Sequence, residues 1–166
     1  MKARRIFVEK KEQFRVEAQS LLAELNENLS LNLKELRLIN VYDLFGFDDE
    51  LVEKCRYRVF GETVTDNVSE ENPLHGQKFL AVEFIPGQFD QRAASAVDCA
   101  HLIDPAAQIQ IRSSRLLIFD ESLSETDLGR IRHYIINPVE CRAKNMDILA
   151  LNDSAEVKPL DRKSVV

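Results

Sequence analysis

Two stretches of the chain carry one apolar spacing. Phe14, Ala18, Leu21, Leu22 and Leu25 fall at the intervals that line one face of a helix. Phe89, Ala93, Ala96, Val97 and Ala100 repeat those intervals, each displaced by 75 positions. Leu128, Ile131 and Ile135 likewise repeat Val52, Cys55 and Val59 at a displacement of 76. Each first helix follows a strand-like run, Ile6 to Glu9 or Phe79 to Phe84, rich in β-branched and aromatic residues. Each is followed by another, Leu36 to Tyr42 in one case and Ile109 to Ile111 with Arg115 to Phe119 in the other. The chain therefore reads as an α+β fold made by internal duplication of a β-α-β-α unit, with a last short strand expected in each copy. A strand layer with helices on one side leaves its other face incomplete, so two such units are expected to bury each other as a pseudo-dimer of antiparallel sheets with helices packed on them. The first repeat is assigned to 1–70 and the second to 71–146, with the boundary in the polar stretch Asn67 to Gln77. Residues 147–166 lose the periodicity and read as a linker or disordered tail.

Local signals sharpen the ends of the helices. Asp48 or Asp49 is placed to cap the second helix. Ser124 with Asp127 has the spacing of a capping box. Gly61 and Asn137 close the second helix of each copy, where a left-handed residue is favoured.

Composition removes several functions. A net charge of −6 argues against a nucleic-acid surface, which needs clustered Lys and Arg. No apolar run reaches the roughly 20 residues of a membrane helix, and no apolar core follows the basic N-terminus. Cys55, Cys99 and Cys141 are widely spaced, which fits neither a disulfide framework nor a zinc site and suits a reducing, cytoplasmic setting. Cys99 and His101 fall on different faces of a helix and form no nucleophile–base pair. Cys99 reads as a small buried apolar residue. Phosphate-loop, dinucleotide and nucleophile-elbow motifs are missing.

Two stretches draw attention. In FIPGQFDQRAASA, residues 84–96, Pro86 and Gly87 take the strand out of the sheet before Phe89 re-enters the core. Asp90 reads as a helix cap; the sharper alternative is an anion site at that helix start with Arg92 as clamp. Tyr42 to Phe47 is rich in aromatics. Exposure of Phe45 and Phe47 would make it a docking patch. The docking residues expected from these stretches are Tyr42, Phe45, Phe47, Pro86, Gln88, Gln91 and Arg92.

The runs RRIFVEKKEQFRVEAQSLLAELNENL, INVYDLFGF, AVEFIPGQFDQRAASAVDCAHLI and HYIINPVECR together resemble the start of the large, single-chain phosphoribosylformylglycinamidine synthases of purine biosynthesis. The resemblance covers nearly all of residues 4–142. In that family the N-terminal domain is itself similar to a dimer of a small accessory subunit, which agrees with the repeat. The second repeat is the closer match, because Lys11-Glu12 and Gly61-Glu62 stand in the first where Pro-Gly and Asn-Pro stand in the second. The resemblance implies ATP- and glutamine-dependent amidine formation by a parent chain whose ATP, magnesium and glutaminase residues lie in other domains. For this domain it implies a scaffold contacting the synthetase and glutaminase domains of the same polypeptide, with no catalytic, cofactor or metal residue of its own and no activity in isolation. A second reading of a different class is a free-standing small-molecule-binding regulatory domain, its pocket lying between the repeats and lined by Arg92 or Arg115.

Overall fold

The computed structural model describes residues 3–149. Ten elements follow one another: β1 (Ala3–Lys10), α1 (Val16–Leu29), β2 (Leu36–Phe45), α2 (Asp49–Cys55), β3 (Asp66–Ser69), β4 (Phe79–Phe84), α3 (Gln91–Ile103), β5 (Gln110–Phe119), α4 (Glu125–Ile135) and β6 (Cys141–Ala143). A 3-10 turn at Glu12–Phe14 precedes α1, and a π-helical turn at Arg56–Phe60 extends α2. The short last strands are present as β3 and β6. Among the described residues no helix is long and apolar enough to cross a membrane.

The strands make one sheet in the order β3-β1-β2-β5-β4-β6, with every neighbouring pair antiparallel. Exchanging β1 with β4, β2 with β5 and β3 with β6 turns this order into its own reverse. The expected arrangement of separate sheets buried face to face is not what forms. Instead β2 and β5 pair edge to edge along their whole length, from Leu36↔Phe119 to Phe45↔Gln110. Two ten-residue edges of unpaired N–H and C=O groups are satisfied at once by this pairing, which face-to-face stacking would leave open.

All four helices cover one face. Toward one end of the central strands, α2 and α3 bury Val52, Cys55, Ala93, Ala96 and Ala100 against Ile6, Tyr42, Leu44 and Ile111. Toward the other end, α1 and α4 bury Leu25 and Ile131 against Leu36, Leu80, Leu117 and Phe119. Helices thus pair across the two halves. Asn28 Nδ2 on α1 donates to the Tyr134 hydroxyl of α4 at 2.7 Å, and that hydroxyl donates to Glu24 at 2.7 Å. The opposite face buries Phe7, Ile39, Val41, Leu116 and Ile118 together with Met146.

Several local expectations change. Phe89 is 71% exposed and Phe14 is 36% exposed. Both precede the first residue of their helix, so the helical period that places Ala18 and Ala93 inside does not reach them. Cys99 is exposed, because it lies off the Ala96–Ala100 stripe that faces the sheet; the small buried cysteine is Cys55. Gly61 is extended, and among the described residues the only non-glycine with positive φ is Ser30, which ends α1. Gly61 is needed for space: a Cβ there would lie 2.7 Å from Val68 Cγ2. Asn137 is not left-handed either; its carbonyl accepts from Glu140 N and Cys141 N at 2.9 and 2.8 Å and turns the chain into β6. The polar stretch Asn67 to Gln77 begins inside β3, and the connection from β3 to β4 is 70–78. Of the expected tail 147–166, all but its first three residues lie outside the described residues.

Candidate docking surface

The stretch 84–96 builds a corner at the edge of the sheet. Beyond Phe84 the N–H of Gln88 donates to the Ile85 carbonyl at 3.1 Å, and Gly87 has φ +92°. Proline then glycine at the two central positions, the second with positive φ, is the pattern of a type II turn. The last β4–β5 pair is Glu83↔Ser114. Just past it, Asp90 takes the place of the departed strand. Its Oδ2 accepts from Ser113 N at 2.8 Å, and its Oδ1 accepts from Ser113 Oγ at 2.6 Å and from Ala93 N at 3.0 Å. Asp90 therefore caps α3 and ties it to β5. An external anion at this helix start is displaced by the protein's own carboxylate.

The turn before β6 meets the same corner. Ile85 N–H donates to the Glu140 carbonyl at 2.9 Å, and Gln88 Nε2 reaches the Val139 carbonyl at 3.5 Å. Pro86, Gln88 and Gln91 are exposed here; Arg92 is exposed too, but it lines the neighbouring cleft beside α1, β1 and β2 and not this corner. Three apolar side chains accompany them, Phe84 at 37%, Phe89 at 71% and Val139 at 70% exposure. Phenylalanine left in water at a rigid turn is the kind of anchor that protein interfaces use.

Tyr42, Phe45 and Phe47 do not join this surface. They are buried. Tyr42 and Phe47 pack around Phe60, with ring centroids 4.9 and 6.2 Å from it. An aromatic run on a central strand is spent on the core, and no docking patch forms there.

The other charged constellation lies on the helix-free face, and the sequence reading missed it. Asp43 is buried and takes two hydrogen bonds from Arg5, at 2.6 and 3.1 Å, with Lys144 Nζ 2.9 Å away. Lys144 also reaches Glu83 at 3.1 Å, and Arg142 donates to Glu83 at 2.8 Å. Arg5 continues to the carbonyls of Met146 and Ile148. Burial alone would raise the Asp43 carboxyl; the Arg5 hydrogen bonds and the charges of Lys144 and Arg5 outweigh it and hold the group below its ordinary value. Only Asp43 itself stands out in the sequence, two residues from Val41 and from Phe45 on one strand face; its partners come from other segments. A carboxylate neutralised on both sides is a structural group rather than an acid or base.

Nucleophilic chemistry finds no partners. Burial pushes the Cys55 thiol up, and no hydrogen bond among the described residues joins a cysteine to a histidine. His101 Nε2 is instead 2.9 Å from the Ala107 carbonyl. Among the described residues no three His, Cys, Asp or Glu side chains gather into a metal-holding group. Neither a family model nor a curated protein matches the chain.

Proposed function

We propose that this chain is the N-terminal, accessory-subunit-like scaffold domain of a large, single-chain phosphoribosylformylglycinamidine synthase. Its surroundings are then cytoplasmic. Its partners are the synthetase and glutaminase domains of the same polypeptide. The parent reaction converts formylglycinamide ribonucleotide, glutamine and ATP to the amidine, glutamate, ADP and phosphate, with ATP and magnesium held elsewhere. The domain's part is to position those catalytic units and to help close the path along which ammonia travels.

One observation carries this reading. The two most specific stretches of the resemblance, PGQFDQRAASA and INPVECR, lie some fifty residues apart and meet in one exposed corner, where Gln88 Nε2 reaches the Val139 carbonyl and the adjoining Ile85 N–H donates to the Glu140 carbonyl. Residues with only a folding role would not need to leave Phe89 and Val139 in water. The palindromic strand order also supports the proposal that the two halves are copies of one unit. Asp48 and Ser124, which cap α2 and α4 through Leu51 N and Asp127 N, stand 76 positions apart, as the repeat requires.

The test is an assay of the purified chain with formylglycinamide ribonucleotide, glutamine and ATP. No amidine and no glutamate form on the scaffold reading. Turnover above background by this chain alone overturns it.

A further inference from the structure

A cleft of about 210 Å³ opens on the helix-covered face between the start of α1, β1, β2 and α3. Its apolar walls include Val8, Leu38 and Phe60, and Asn40 lies in its lining. Asn40 breaks the pattern of its strand. Leu36, Leu38, Tyr42 and Leu44 share its face, and all are apolar or aromatic core residues. Its amide makes no hydrogen bond among the described residues, although an amide offers two donors and an acceptor.

The rim is basic. Lys10, Arg15 and Arg92 all line the cleft. Lys10 is paired with Asp66 at 3.0 Å, and Arg15 donates to the Lys10 carbonyl at 2.9 Å. Glu17, also at the rim, is paired with Arg115 at 2.9 Å. Arg92 has no hydrogen-bond or ion-pair partner among the described residues.

The other half of the molecule shows what such a place accommodates. Exchange of the halves lays Arg15 onto Asp90 and Leu38 onto Ser113, each 75 positions apart. In the second half the Asp90 carboxylate fills the space and bonds Ser113. In the first half that internal anion is replaced by a cation, and α1 starts without a side-chain cap. We propose that this cleft binds a small oxyanion, a carboxylate or phosphate group on a compact molecule, held by the Arg92 guanidinium and the Asn40 amide. The volume is below that of most organic-ligand pockets, roughly 300 Å³ and up, so the ligand is small. The planar fork of arginine suits either oxyanion. This site is separate from the apolar corner at Pro86 and does not depend on the scaffold reading.

Isothermal titration of the purified chain tests it, with sodium phosphate and disodium succinate as probes and sodium chloride at matched ionic strength as control. Saturable one-to-one binding of one probe is expected, with the other distinguishing phosphate from carboxylate preference. Arg92→Ala and Asn40→Leu each weaken it by about tenfold or more, while Arg132→Ala on α4 leaves it unchanged. Arg92→Lys, which retains the charge and most of the length but not the planar fork, loses less than Arg92→Ala and guards against a folding artefact when checked by circular dichroism. Absence of saturable binding up to about 20 mM of either probe, an equal response to chloride, or binding indifferent to Arg92→Ala overturns the proposal.

Discussion

Asn40 on β2 stands directly opposite Arg115 on β5, at the middle of the antiparallel pair that joins the two halves. The register places them as each other's counterparts, 75 positions apart, so any two-fold relation between the halves passes through this pair. Both project to the helix-covered face, where their neighbours are Leu38, Tyr42 and Leu117. Arg115 is exposed and paired with Glu17 at 2.9 Å, whereas Asn40 is half-buried and has no such partner among the described residues.

Replacing Asn40 by leucine should therefore not harm the fold. The Asn40 amide has no hydrogen bond to lose, and Val8 and Leu38 lie beside it in the cleft. Asn40→Leu is expected to leave stability unchanged or to raise it by up to about 1 kcal/mol. Urea unfolding measures this. A loss beyond about 1 kcal/mol would mean that Asn40 supports the structure.

Asp90 is the opposite case. Its two oxygens serve Ala93 N, Ser113 N and Ser113 Oγ together. Asp90→Ala removes a cap worth about 1 kcal/mol and leaves the Ser113 groups without a partner, so a total loss of about 2–3 kcal/mol is expected. Asp90→Asn keeps an acceptor and should lose less. Chemical denaturation of the two variants gives the order.

The Asp43 network predicts sensitivity to acid. Its folded carboxyl lies below the ordinary 3.8. A group depressed on folding contributes stability above its unfolded pKa and loses it as pH falls through the folded value. Asp120, whose burial is outweighed by hydrogen bonds from Ser122 and from the Lys34 and Glu35 amides, acts in the same direction. Melting temperature should be insensitive to both carboxyls above about pH 5 and should fall progressively below about pH 4. Asp43→Asn should cost about 3 kcal/mol at neutral pH, because Arg5 and Lys144 stay behind half-paired, and should flatten part of the acid limb. Thermal melts from pH 3 to 7 on both proteins decide it.

The exposed corner separates docking from folding. Phe89 is 71% exposed, so Phe89→Ser should change the stability of the isolated domain by no more than about 0.5 kcal/mol. On the proposed scaffold role, the same change in the assembled enzyme should weaken the domain's hold on its neighbours by about 2 kcal/mol, roughly thirtyfold. Equal effects in both settings would place Phe89 in the fold and not in an interface.

Much of this architecture was legible in the sequence, and particular residues show where legibility stopped. Ala18, Leu25, Ala93, Ala96 and Ala100 were readable as buried because helical periodicity reports a face directly. The β4 strand was read to its last residue, and Asp48 and Ser124 were readable as caps because capping is local. Phe14 and Phe89 were misplaced because they stand two residues before the first residue of their helix, where the period no longer applies. Tyr42, Phe45 and Phe47 were open to two readings, since a strand covered on both faces leaves no polar alternation. The Arg5–Asp43–Lys144–Glu83 network joins four segments through pairing register, and no local pattern encodes that. A ligand pocket between the halves lined by Arg92 or Arg115 is the sequence expectation; the cleft has Arg92 in its lining and not Arg115, and Asn40, which the sequence did not single out, belongs to it as well.

The central claim is that this domain holds catalytic units together and performs no chemistry itself. The most direct measurement mixes the purified chain with the synthetase–glutaminase portion of a large formylglycinamidine synthase and follows association by titration calorimetry, with amidine formation assayed in parallel. The account predicts a one-to-one complex weakened by Phe89→Ser, and no amidine from the chain alone. Failure to associate, or turnover by the isolated chain, would contradict it.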